Sequence, residues 1–354
     1  MGADSLISGN GGIAGVARLM ARVLSEEAAQ GHLNLFCETY KDPLPVKDLS
    51  INVRTAASSR LKFIFNLARR REASHFFYDS CNMSQAHPAI PGLNRPFLVF
   101  IHGVEVWEDA KTRRIKSARN ASTILANSVF TARRAEACHG GFLRAKVCWL
   151  ATNTDEPGKF SERRSSPPSV LIVARLCLED MYKGHAELIN AWPRVIEKVP
   201  DAVLNIVGTG SGDEQLKKLA AQKSCSEKIN FLGFVNEESL DELYARSSVF
   251  AMPSRGEGFG LVYIEAMRHG LPVIASIHDA AQEINIDGET GYNVNLDKPD
   301  ELPERLIALL KNRDLAQALG QRGQTHWQSN FCFSAFQKRF LPLLTEFLNQ
   351  DSCS

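Results

Sequence analysis

The 354-residue chain has 44% hydrophobic residues, 23% charged residues and a formal net charge of +1. These values lie in the ordinary globular range, so they exclude disorder and fibrous repeats and lead us to expect two domains of about 150 residues each. The longest apolar runs, FLVFI (97–101) and VLIVA (170–174), fall far short of the ~20 residues of a membrane-spanning helix, and no basic-then-apolar leader opens the sequence. Eight cysteines without a C-x-x-C pair favour reduced thiols in a cytoplasmic protein over a disulfide frame or a zinc site.

In chain order, MGADSLIS (1–8) is short, carries Asp4 and reads poorly as a buried strand. Gly9-Asn10-Gly11-Gly12-Ile13-Ala14 follows and matches G-x-G-x-x-G/A. Apolar runs at 33–37, 75–78, 97–101, 122–126 and 146–150 then alternate with helix-like stretches at 13–29, 59–72, 109–120 and 129–138. Residues 157–170 (PGKFSERRSSPPSV) lack periodicity and read as a linker. Beyond it come strand 170–174, helix 184–198, strand 203–207, helix 213–222, strand 230–234, helix 237–246, strand 249–253, helix 260–269 and strand 272–276. Short buried strands spaced by helices imply parallel sheets with right-handed crossovers. The expected fold is therefore α/β: two Rossmann-like domains, 1–160 and 161–330, facing across a cleft. A helix over 331–348 should end the chain, broken near Pro342.

Three glycine-rich places compete as phosphate cradles. Gly9–Ala14, with Glu38 at the spacing of a ribose-binding acid, is the best case for a nicotinamide or flavin oxidoreductase. In Gly208-Thr209-Gly210-Ser211-Gly212, the third glycine of that fingerprint is replaced by Asp213, so a tight turn into a helix is the better reading. The third place is Pro253-Ser254-Arg255-Gly256-Glu257-Gly258-Phe259-Gly260, which joins a strand to a helix carrying Glu265. Gly258 and Gly260 let backbone N–H groups approach a ligand, and the helix start favours an anion. Glu257 and Glu265 suit sugar hydroxyls, because each carboxylate oxygen accepts hydrogen bonds.

The stretch EGFGLVYIEAMRHGLPVIAS (257–276) resembles the C-terminal domain of retaining glycosyltransferases of the GT-B fold, family four. The resemblance extends through VLIVAR (170–175), Lys183-Gly184-His185, INFLGFV, LYARSSVFAMPS and DGETGYNV, and more loosely through Gly11-Gly12, FIHG (100–103) and TNTD (152–155). It implies that Glu265 takes the donor ribose and Glu257 the transferred sugar, helped by the backbone of Gly258, Phe259 and Gly260. Arg175 and Lys183 would grip the diphosphate, Gly11 and Gly12 would close on it, and His102 would meet the donor sugar. Base choice would lie near Gly233–Val235, with Val235 among the donor-binding residues, and the C-terminal helix would cross back to the first domain. The chain departs from the family pattern in its short first strand and in Thr154, where relatives have glycine.

Such an enzyme takes a UDP- or GDP-sugar donor and a saccharide or lipid-linked acceptor, and retains anomeric configuration. Two fixed cations oppose the charge that grows on the leaving diphosphate. No D-x-D triplet is present, so neither a metal nor another cofactor is expected. Residues 1–160 sum to +7 and the remainder to −6. Within the basic half, Ser58–Ala73 places Leu61, Ile64, Phe65 and Ala68 on one helical face rimmed by Arg60, Lys62, Arg69, Arg70 and Arg71, and Lys111–Arg119 forms a second basic helix. These favour an anionic membrane surface on the inner face of the cell membrane, alongside the alternative of an ordinary core helix. No nucleic-acid-reading motif is present. The rival functions are the oxidoreductase named above and a non-catalytic protein that only binds nucleotide sugars.

Overall fold

The computed structural model describes residues 1–7, 11–43, 52–88, 94–159 and 167–350. The chain forms two compact units, Met1–Thr154 with Phe333–Ser354, and Asp155–Cys332. The first boundary falls before the expected 160/161. The reason is local: Gly158 N–H donates to Arg268 O (3.0 Å) and Arg268 Nε to Glu156 O (2.9 Å), which ties 155–159 to the second unit.

The first unit runs β1 (Gly2–Ala3), α1 (Gly12–Ala29), β2 (Phe36–Thr39), β3 (Asn52–Thr55), α2 (Arg60–Ala68), β4 (Phe76–Tyr78), α3 (Cys81–Ser84), β5 (Phe97–Ile101), α4 (Thr112–Arg119), β6 (Thr123–Ala126), α5 (Val129–His139) and β7 (Lys146–Val147). Its strands lie in the order β3-β2-β1-β4-β5-β6-β7, and every paired strand is parallel. The unpromising start of the chain does supply a strand, and a central one. Only Gly2 and Ala3 pair, with Glu38 and Thr39 on one side and, for Gly2, Tyr78 on the other. β3 escaped the sequence reading because NVRT alternates polar residues, as suits an edge strand. The core gathers Phe97, Val99 and Ile101 of β5 with Phe63 and Leu67 of α2 and Ile115 of α4.

In the second unit β8 (Ser169–Val173) is followed by a 3-10 turn (Leu178–Lys183), α6 (His185–Lys198), β9 (Val203–Val207), α7 (Asp213–Ala221), β10 (Ile229–Gly233), α8 (Glu237–Arg246), β11 (Val249–Ala251), α9 (Leu261–Arg268), β12 (Val273–Ser276), β13 (Gly291–Val294), α10 (Glu301–Lys311) and α11 (Arg313–Asn330). The parallel order is β10-β9-β8-β11-β12-β13.

The last helix, α12 (Phe333–Asn349), belongs to the first unit and runs unbroken through Pro342, contrary to the expected break. Proline removes one backbone donor. Buried Phe336, Phe340, Leu344 and Phe347, spaced three or four apart, hold both halves of the helix against the unit, and Phe347 meets Phe77 edge-on at 5.3 Å. Among the described residues, no helix is long and apolar enough to cross a membrane.

Candidate functional site

Each sheet reverses its strand order once, at β8/β11 in the second unit and at β1/β4 in the first. Open parallel sheets bind ligands at the carboxyl ends of the strands beside such a reversal. In the second unit, β8 and β11 pair at Val170↔Val249 and Leu171↔Phe250, so the segments that leave them emerge side by side.

These two segments are joined tightly. Arg255 N–H donates to Tyr182 O (2.9 Å). Gly184 takes φ +91°, and a Cβ there would lie 2.5 Å from Pro253 O, so only glycine permits this approach. Lys183 Nζ donates to Glu257 Oε1, both side chains being 14% exposed. Arg175 reaches Asp180 Oδ2 through Nη2 (3.0 Å); its guanidinium side chain is 68% exposed, whereas Asp180 is 8% exposed and also accepts Tyr182 OH (3.2 Å). Asp180 thus holds a fork that still faces solvent. Residues 208–212 brace this segment from β9, through Leu176 N–H to Thr209 O (3.1 Å) and Gly212 N–H to Leu176 O (2.6 Å). Asp213 is the first residue of α7 and pairs with Lys217 (2.7 Å), as the tight-turn reading of that loop requires.

Glu257 is held from its backbone as well. Its N–H donates to Asp279 Oδ2 (3.0 Å) and its carbonyl accepts Ala280 N–H (3.2 Å). Burial pushes the Asp279 carboxyl up to about 7, against the N–H groups of Ala281 and Glu257 that favour its charge. Gly258 and Gly260 are buried, and Gly260 caps α9 at φ +88° with Tyr263 packed where a Cβ would stand. Phe259 is 2% exposed and meets Phe331 edge-on at 6.1 Å, so its ring anchors the turn and only its backbone is available to a ligand. Glu265 lies on the second turn of α9, with Oε2 accepting Tyr244 OH (3.0 Å). Burial raises its carboxyl, and the Tyr244 bond and Arg268 counter that rise. Tyr244 is 2% exposed and stacks on His269 at 5.3 Å. Val235 is half-buried after β10, the edge strand two places from β8.

In the first unit, Gly9 and Asn10 lie outside the described residues. Gly11 caps α1 in an extended conformation, and a Cβ there would meet nothing within 4 Å. Gly12 opens the helix, whose first turn carries no acidic residue to oppose an anion there. His102 follows β5; its Nε2 is 2.5 Å from Asp79 O, and its ring stacks on Phe100 at 5.3 Å. Burial lowers His102 to about 4, so the ring is neutral at pH 7. A carbonyl only accepts, so Nε2 carries the proton and Nδ1 is the ring's acceptor. Burial pushes Asp79 up to about 8 and Glu105 to about 7. Glu38 is 4% exposed inside β2 and accepts Asn66 Nδ2 (2.5 Å), so this carboxyl is enclosed and not offered to a ribose.

Sequence reasoning missed Asp180, Asp279 and Tyr244. Each acts through a partner distant in sequence or through a turn whose shape no spacing rule encodes. Among the described residues, no group of three or more His, Cys, Asp or Glu is arranged to hold a metal ion, and no two cysteines are joined by a disulfide.

Residues 155–326 match the family "Glycosyl transferases group 1". The chain is 35% identical over 169 residues to a GDP-mannose-dependent monoacylated alpha-(1-6)-phosphatidylinositol monomannoside mannosyltransferase of Corynebacterium glutamicum, covering 46% of this chain and 44% of that one. It is 37% identical over 152 residues to the phosphatidyl-myo-inositol mannosyltransferase of Mycobacterium tuberculosis, covering 41% and 38%. The chain thus spans less than half the length of these relatives. Among solved structures, Anabaena HepE in complex with UDP and glucose superposes with a TM-score of 0.78 at 18% identity over 98% of both chains. Sucrose-phosphate synthase from Thermosynechococcus elongatus gives 0.76 at 21% identity, over 96% of this chain and 94% of that one. The second unit therefore matches the glycosyl transferases group 1 family over most of its length, in a chain that has the two-unit parallel α/β fold of GT-B glycosyltransferases.

Proposed function

We propose that the protein transfers a hexosyl group from a nucleotide sugar, GDP-mannose or a UDP-sugar, to a saccharide or lipid-linked saccharide. The observation that carries this reading is the Lys183–Glu257 pair at the β8/β11 reversal, with Arg175 on the same segment and the α9 N-terminus on the next. A nucleotide sugar needs cations for its diphosphate, a carboxylate for sugar hydroxyls and another for ribose. Lys183 and Arg175 supply the first, Glu257 the second and Glu265 the third.

As the sugar–phosphate bond breaks, negative charge grows on the leaving diphosphate, and only stabilisation that grows with it accelerates the step. Lys183 is enclosed and tied to Glu257, so it sits in place before the charge appears. Arg175 adds a planar fork held by Asp180. These two cations take the part that a divalent ion plays elsewhere, which supports a metal-independent reaction. Retention of configuration follows the family resemblance, with the leaving phosphate taking the acceptor's proton. In the first unit, the α1 start at Gly11 and Gly12 is assigned to phosphate and neutral His102 to a sugar hydroxyl.

Helix α2 bears on the acceptor. Phe63 and Leu67 face the core, while Leu61 and Phe65 stand 81% and 58% exposed with Arg69 over the Phe65 ring at 5.3 Å. A hollow of about 600 Å³ beside it is lined by Arg60, Arg113 and Lys116 with no acidic residue. An apolar face next to a basic hollow fits an anionic lipid surface, which supports peripheral binding at the inner face of the membrane and a lipid-linked acceptor.

The test is a panel of UDP- and GDP-sugars assayed for slow hydrolysis and for transfer, with thermal shifts against NAD and NADP as the counter-screen. Turnover of one sugar nucleotide is expected. A shift with NAD alone would overturn the reading, and retained nucleotide binding without hydrolysis or transfer would mark a binding protein. Flotation with phosphatidylglycerol vesicles tests the membrane surface. Leu61→Ser with Phe65→Ser should reduce binding about a hundredfold or more, since each inserted side chain contributes about 1.5–3 kcal/mol.

A further inference from the structure

We propose that Asp42 and Asp79 are positioning residues that clamp the backbone of residues 4–7 and thereby aim the Gly11–Gly12 start of α1 at its ligand. The inference rests on the reading that this helix start meets the donor phosphates.

β1, an interior strand of the first sheet, is only two residues long, so the ladder does little to steady the segment that leads toward α1. The ladder's last contributions are Tyr40 N–H to Ala3 O (2.9 Å) and Lys41 N–H to Asp4 O (2.8 Å), both toward β2. Side chains from the two flanking strands take over from there. Asp79, the residue after β4, accepts Asp4 N–H at Oδ2 (2.8 Å) and Ser80 Oγ at Oδ1 (3.0 Å). Asp42, three residues after β2, accepts Ser5 Oγ (2.5 Å) and Ile7 N–H (3.1 Å) at Oδ1, and Leu6 N–H (2.7 Å) at Oδ2. Lys41 Nζ holds the Asp4 carboxylate at 2.8 Å from outside. Four consecutive residues are therefore each held by a side chain.

The groups doing this are enclosed. Asp42, Asp79 and Ser5 are 0% exposed and Leu6 is 5% exposed. Hydrogen bonds to a carboxyl group in such enclosed surroundings are stronger and more directional than bonds to water. Asp42 is itself fixed, because Thr55 Oγ1 of β3 donates to its backbone carbonyl. Burying two carboxyl groups beside a two-residue strand is a costly way to shape a short connecting segment. It becomes intelligible if the segment's direction matters to the amides that follow it. The first turn of α1 itself carries no acidic side chain, as an anion site requires.

The experiment uses the full chain with Asp42→Asn, which turns one acceptor oxygen into a donor facing hydroxyl or N–H donors, and with Ser5→Ala, which removes one bond and keeps the carboxylate. Amide hydrogen exchange at residues 4–7, melting temperature, and donor KM and kcat are measured together. Asp42→Asn should speed exchange at Leu6 and Ile7 by about 10–100-fold, as expected for lost bonds to a charged group. It should also raise donor KM about tenfold with a smaller change in kcat, while Ser5→Ala shows the same pattern more weakly. Unchanged exchange in Asp42→Asn would overturn the clamp. Faster exchange and a lower melting temperature with donor KM at the wild-type value would make both residues merely structural and overturn the positioning role. An inactive wild type would instead refute the transferase reading, and exchange would still decide whether the clamp exists.

Discussion

The two units carry sheets that reverse at equivalent places, yet they prepare those places by different means. In the second unit β8 is five residues long, and the segments beyond β8 and β11 are bound to each other by a backbone bond, a glycine contact and the Lys183–Glu257 pair. In the first unit β1 has two residues, and the segment beyond it is held by carboxyl groups from its neighbours. One edge presents charged side chains, the other backbone amides and a neutral histidine. The difference teaches that strand order selects where a ligand can sit, while the groups emerging from the strand ends decide which chemistry is possible there.

That contrast predicts a ranking of effects. Lys183→Ala should lower kcat by about 10²–10³, the usual loss for one preorganised charge-stabilising group, whereas His102→Ala should cost less because the ring carries no charge at neutral pH. An equal loss in the two variants, measured by steady-state transfer, would break the distinction between a charged and an uncharged edge. Next, Glu265→Ala should raise donor KM about 10–100-fold through loss of bonds to a charged acceptor, with kcat little changed. Tyr244→Phe keeps the carboxylate and removes only its 3.0 Å anchor, so it should raise KM by about threefold to tenfold. If Tyr244→Phe matched Glu265→Ala, the tyrosine would be a contact in its own right.

The smallest expected effect is on stability against pH. Folding raises Asp79 to about 8 and Glu105 and Asp279 to about 7, so the folded state binds more protons and these groups lose stability as pH rises toward those values. Folding lowers His87, His102 and His185 to about 4, so these groups gain stability as pH rises from about 4 to the unfolded value of 6.5. The two sets oppose one another below pH 6.5, and above it the three carboxyl groups titrate against one opposing group, the Met1 amine, which burial lowers from 8.0. Melting temperature should therefore fall between pH 6.5 and 8, and Asp79→Asn, which mimics the protonated form, should flatten that fall. A melting temperature that rises across this interval would contradict the burial of these carboxyl groups.

Much of the fold was legible because buried parallel strands are written as short apolar runs. FLVFI, VLIVA and VLNIV correspond to β5, β8 and β9 almost residue for residue. β1 and β3 were not legible. One is two residues long and the other alternates polar side chains, so their pairing depends on neighbours that local pattern does not contain. The unbroken α12 teaches the same lesson, since Phe336, Phe340, Leu344 and Phe347 outweigh the hydrogen bond that Pro342 removes. For helix α2 the sequence singled out Leu61, Ile64, Phe65 and Ala68 as the apolar face and left open whether that face meets the core or a membrane. Only packing showed that Phe63 and Leu67 turn inward while Leu61 and Phe65 turn out.

At the site, sequence alone determined the residue types and their order: the glycines of 256–260, the carboxylates at 257 and 265, and the cations at 175 and 183. These follow from local rules, because a strand-to-turn-to-helix passage and the need for close backbone approach leave a mark within a few residues. The tertiary structure decided which of them meet and who holds them. Lys183 and Glu257 are 74 residues apart, Tyr244 and Glu265 are 21 apart, and Ser5 and Asp42 are 37 apart. Such contacts exist only after the strands have taken their places in the sheet, because the loop ends converge through strand order and not through proximity along the chain.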